Sequence, residues 1–60
     1  MVFRTYYNSR SISIIKKIVK AEDLDVAIRI FDDAIGDTII EANGSKEEIA
    51  ILKDVFKIIY

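Results

Sequence analysis

From Asp25 onward the apolar residues follow a period of two. Val26, Ile28 and Ile30 alternate with Ala27, Arg29 and Phe31, and a second such stretch, Thr38-Ile39-Ile40-Glu41-Ala42, follows closely. That period belongs to a half-buried strand, whose side chains point to opposite faces in turn. The break between the stretches is Asp33-Ala34-Ile35-Gly36-Asp37. A three-residue hairpin loop takes a type I turn and then a left-handed residue, usually glycine, and Gly36 stands there if Asp33 pairs with Asp37. This register sets Ile30 opposite Ile40 and Ile28 opposite Ala42 on one face. On the other it sets Arg29 opposite Glu41 and Phe31 opposite Ile39, so charges pair and apolar residues meet. A slip of one residue scrambles both faces.

The flanks supply the rest of the fold. Residues 2–7, Val-Phe-Arg-Thr-Tyr-Tyr, are aromatic and β-branched and read as a short strand. Asn8-Ser9-Arg10-Ser11 offers several helix caps. Over 12–21, Ile14, Ile15, Ile18, Val19 and Ala21 recur at helical spacing, with Lys16, Lys17 and Lys20 on the other side. Glu22-Asp23 belongs to the connection, since acids sit badly at a helix C-terminus. After Asn43-Gly44, Ser45 and Glu48 form a capping box that opens a second helix, with Ile49, Leu52, Val55, Phe56 and Ile59 on one side. The expected architecture is one α+β domain spanning residues 1–60. Its order is β-α-β-β-α, a three-stranded antiparallel sheet with two helices packed on one face.

Size bears on function here. A chain of sixty residues buries only about 60% of its unfolded surface, and such domains usually need a disulfide, a metal or a partner. The sequence contains neither cysteine nor histidine, so disulfides, the commonest metal ligands and the commonest general base are missing together. Serine and threonine then lack a base, and the lysines read as a solvated face, so the chain is read as not an enzyme. No Gly-rich phosphate loop occurs, and no cofactor or metal is expected. Asp32, Asp33 and Asp37 cluster at the hairpin, but their spacing is not that of a calcium loop and aspartate is favoured in turns. No apolar run approaches the roughly 18 residues of a membrane span. Met1-Val2-Phe3-Arg4-Thr5 reads as the start of a mature domain rather than a signal peptide, so a cytoplasmic location is expected.

Two features are left over. The cations Arg4, Arg10, Lys16, Lys17 and Lys20 precede every acid in the chain, and the net charge is −1. With Tyr6 and Tyr7 interleaved, they are candidate RNA contacts, rings for bases and cations for phosphates. The plainer alternative is a basic helix beside acidic loops. The second feature is an apolar surplus. Ile51 and Ile58 fall beside or beyond the second helix's stripe, Tyr60 follows it, and Phe31 and Ile39 fall on the hairpin's other face. A contiguous patch of this kind marks an interface. The candidate docking residues are Ile51, Leu52, Val55, Ile58, Ile59, Phe31 and Ile39, facing a larger protein subunit, a second copy of the chain, or both.

The order β-α-β-β-α, with Asp37-Thr38-Ile39-Ile40-Glu41-Ala42 running into a long amphipathic helix, resembles the small dimer-forming subunit of the KEOPS complex. In that family the helix carries a Leu-Arg pair, for which Leu52-Lys53 stands here, and a polar Asn-Ser, where this chain has Lys57-Ile58. The resemblance implies a non-catalytic subunit of a complex that makes threonylcarbamoyladenosine on tRNA. It implies dimerisation through the sheet, helices bundled with a catalytic subunit, and basic residues that help hold tRNA. The alternative is a free-standing RNA- or DNA-binding module using the basic N-terminal face.

Overall fold

A computed structural model describes all residues, Met1–Tyr60. The elements are β1 (Val2–Tyr6), α1 (Ser9–Ala21), β2 (Ala27–Asp32), β3 (Thr38–Asn43) and α2 (Lys46–Ile59). β3 lies in the middle of an antiparallel sheet of order β1-β3-β2. The hairpin has the register expected from the side chains: Ile28 faces Ala42, Arg29 faces Glu41, Ile30 faces Ile40 and Phe31 faces Ile39. Its loop closes as the glycine requires. Asp33 N donates to Asp37 O at 2.9 Å, Gly36 N donates to Asp33 O at 3.1 Å, and Gly36 has φ 95°.

Both helices cover the same face of the sheet. The core joins Ile15 and Ile18 of α1 to Ile49, Leu52 and Phe56 of α2 over Ile40 and Ala42 of β3, with Phe3 and Ile28 at its margin. The helices run antiparallel, because opposite ends are tied together. Asn8 Nδ2, at the start of α1, donates to Tyr60 Oη at 3.1 Å, just past the end of α2. Beyond α1, Asp25 N donates to the carboxylate of Glu48 in the first turn of α2. Glu48 also accepts from Ser45, completing the expected capping box. These bonds, the one from Asp25 N foremost, hold the Glu48 pKa below its ordinary value.

Two local readings change. α1 begins at Ser9 rather than at residue 12, because Asn8 is its cap: Asn8 Oδ1 accepts from Ser11 N at 2.8 Å and Ser11 Oγ accepts from Asn8 N at 3.0 Å. That box buries Ser11 completely, and its hydroxyl also donates to Tyr6 O at 3.0 Å. Ala21, placed on the apolar side by its spacing, is exposed. α1 ends in a Schellman turn, with Leu24 N donating to Val19 O at 3.0 Å and Asp23 in the left-handed region at φ 51°. Gly44 passes close to Val26, whose Cγ1 would lie 2.7 Å from a Cβ there.

Candidate functional site

The face of the sheet turned away from the helices carries three cross-strand rows. These are Val2, Asn43 and Ala27; Arg4, Glu41 and Arg29; and Tyr6, Ile39 and Phe31. Pleating places these residues together, since every one of them alternates with a core-facing neighbour. In the middle row Glu41 is held from both sides. Arg4 Nε lies 2.7 Å from Oε2 and Arg29 Nε lies 2.8 Å from Oε1, with Arg29 Nη2 at 3.4 Å from Oε2. The carboxylate's side chain is only 8% exposed, whereas the arginines are 58% and 63% exposed. Hydrogen bonds from Arg29 and then Arg4 pull the Glu41 pKa from its ordinary 4.5 to about 2. The same bond raises that of Arg29. The Arg29 guanidinium also lies over the Phe31 ring, 4.3 Å from its centroid. Arg4, Thr5, Tyr6, Arg29, Phe31, Asp33 and Ile39 line a concavity of about 530 Å³ on this face.

The helix side presents a different surface. Ile58 is 83% exposed and Ile59 52%, Ile51 is 38% exposed a turn and more before them, and Val55 is half-buried between. Ile51, Val55 and Ile58 follow i, i+4, i+7 spacing and so share one flank of α2. Leu52, read as a docking residue, is corrected: it is fully buried at the centre of the core. Its position in the stripe points it at the sheet, so it cannot touch a partner. Phe31 and Ile39 are half-buried and lie on the open face, away from α2.

The candidate RNA-contact residues are divided by the fold. Arg4 is on the open sheet face, in the Glu41 row. Arg10 lies in α1 with its guanidinium 4.9 Å from the centroid of the Tyr60 ring, which stacks on Phe56 at 4.8 Å. Lys16, Lys17 and Lys20 are exposed on α1, on the helix-covered side of the molecule. The turn carboxylates are engaged locally: Asp33 Oδ1 accepts from Ile35 N and Asp37 N at 3.0 and 2.9 Å, and Asp32 Oδ1 accepts from Thr38 Oγ1 at 2.8 Å. No group of three or more side chains is gathered as metal ligands.

Two positions escaped the sequence. Ile30 fits the core face by its spacing, yet it is 49% exposed because the helices do not reach that end of the edge strand. Arg29 was paired with Glu41 but not grouped with Arg4, since the placement of β1 beside β3 is not written in either strand. No helix is long and apolar enough to cross a membrane. The chain matches no known protein family, no curated protein and no solved structure.

Proposed function

We propose that this chain is a non-catalytic, interface-forming subunit that pairs with a second copy of itself and docks a larger protein along α2. The observation that carries the reading is the exposed isoleucine flank of α2, Ile51, Ile58 and Ile59 around Val55. Single exposed apolar residues are ordinary, but several on one helix flank form a surface that a partner helix can cover.

The edge of β2 suits the self-pairing. Hydrogen bonding alternates along an antiparallel strand, and Asp33 N bonds to β3 through Asp37 O. Ala27, Arg29 and Phe31 therefore turn their peptide groups to β3, and Ile28, Ile30 and Asp32 turn theirs outward. This edge has no proline and no lysine, the usual guards against strand addition. A second copy laid antiparallel with Ile30 against Ile30 sets Ile28 against Asp32 and Arg29 against Phe31. Ile30 would be covered, and outward-facing peptide groups would meet outward-facing ones.

The β-α-β-β-α order with one-sided helices supports a tRNA-modifying assembly of the KEOPS type as the complex to test first, in a cytoplasmic setting. Light scattering on the purified chain is expected to give a dimer whose mass does not change with salt, and Ile30→Lys a folded monomer. Ile58→Asp is expected to keep the fold and lose binding to the catalytic subunit. A wild type that stays monomeric at high concentration, together with an Ile58→Asp variant that binds normally, overturns the reading.

A further inference from the structure

We propose that the open face of the sheet is a platform for a short single-stranded nucleic acid, Tyr6 and Phe31 taking bases while Arg4 and Arg29 take phosphates. This goes beyond the interface reading and stands with or without it. The argument begins with what Glu41 leaves over. Arg4 uses only Nε on the carboxylate, and Arg29 uses Nε and Nη2. A guanidinium has five N–H donors in a planar fork, so most of each fork points outward. The carboxylate fixes both forks by their inner edges, which lowers the entropy lost when an anion arrives.

The rings stand beside them. Tyr6 follows Arg4 by two positions on β1 and Phe31 follows Arg29 by two on β2, so the Cα atoms of each such pair are about 7 Å apart along the strand. The two edge strands are about 10 Å apart across β3, with Ile39 as the floor between the rings. Tyr6 is 66% exposed, and its hydroxyl makes no hydrogen bond within the chain. The Arg29 guanidinium already lies over the Phe31 ring, and arginine and aromatic side chains together are a surface on which bases are commonly received.

Charge chooses among occupants. A second apolar sheet would have to bury the Arg4–Glu41–Arg29 row at its centre, where desolvation of the two exposed cations opposes it. A nucleotide strand leaves its phosphates and base edges wet. Across the row two cations and one carboxylate leave +1; the half-buried Asp33, towards the ring end, brings the concavity as a whole to neutral. Phosphates therefore belong over the arginine row and bases over Tyr6, Ile39 and Phe31. Only about two phosphates are engaged, so the affinity should fall with salt at a log–log slope of about −1.4 for a single strand. Recognition through Lys16, Lys17 and Lys20 on α1 would give a steeper slope.

The test is a fluorescence-anisotropy titration of labelled single-stranded RNA and DNA octanucleotides, the matching duplex and an octaglutamate peptide, near 50 mM salt. The single strands are expected to bind, the duplex and the peptide not. Tyr6→Ala should weaken binding about tenfold by loss of one stacked base, while Tyr6→Phe, which keeps the ring, should restore it. Arg29→Lys, which keeps the charge and loses the fork, should weaken binding severalfold. Ile30→Lys should bind as the wild type, which separates this platform from the proposed dimer. No binding of either single strand below about 100 μM overturns the proposal, as does equal binding of the duplex or the peptide. A Tyr6→Ala variant that binds unchanged overturns it too, as does a loss confined to charge reversal at Lys16 and Lys17.

Discussion

Ile40 and Glu41 are neighbours on the central strand, both buried, on opposite faces of the same sheet. Ile40 is buried because two helices cover it, with Ile15, Leu52 and Phe56 filling the space above the strand. Glu41 has no roof of secondary structure. Two arginine stems lean over it from the flanking strands, and their heads stay in water. One face is closed by apolar area, which has no charge to titrate or to screen. The other is closed by three side chains whose cohesion depends on one carboxylate being ionised. Burial of both residues thus conceals two kinds of stability, and only the second leaves donors facing outward.

The largest effect should come from the roofed face. Leu52→Ala removes a fully buried side chain from the centre of the core, at a cost of about 2–5 kcal/mol. In a domain this small, thermal denaturation should show a chain that is largely unfolded or close to it. A loss below about 1 kcal/mol would mean that the helices collapse into the space, and that the contrast between the faces is overstated.

Glu41→Gln addresses the open face and should cost less. The sign follows from the lowered pKa. Above pH 4.5 the carboxylate is ionised in folded and unfolded chains alike, and its contribution is complete; it is lost as the pH falls towards about 2. Urea midpoints of wild type and variant should therefore differ at neutral pH and converge across that acid range. A difference that persists to low pH would assign the effect to packing rather than charge. Asp23→Gly touches neither face and calibrates both. It relieves a left-handed residue at the end of α1 and should stabilise by about 1 kcal/mol, leaving the acid limb unchanged. The smallest effect belongs to Ile58→Asp, within about 0.5 kcal/mol of wild type, because the side chain is almost wholly in solvent.

The hairpin was legible because three local signals agree there: the period of two, the glycine at the left-handed position and complementary pairs on both faces. The capping box of α2 was legible for the same reason, Ser45 and Glu48 being three residues apart. What the sequence hid is set by distant partners. Nothing in Val2–Tyr6 says that it lies beside β3 rather than β2, so Arg4 and Arg29 could not be placed around one carboxylate. Helical spacing gave Leu52 an apolar face but not the depth at which that face ends, and so it was counted with the surface. Ser11 looks polar by type and is buried because a cap and a strand carbonyl satisfy its hydroxyl. The RNA-contact set was gathered from neighbouring positions in the chain, and folding sends Arg4 to one side of the molecule and the α1 lysines to the other.

The central position of β3 also sets a timetable for synthesis. Arg4 meets Glu41 across 37 positions of sequence, so β1 has no partner strand until β3 has been made. The hairpin of β2 and β3 can close early, since its contacts are local. Until β3 is in place Val2–Tyr6, with its phenylalanine and tyrosine, remains an unpaired and sticky segment.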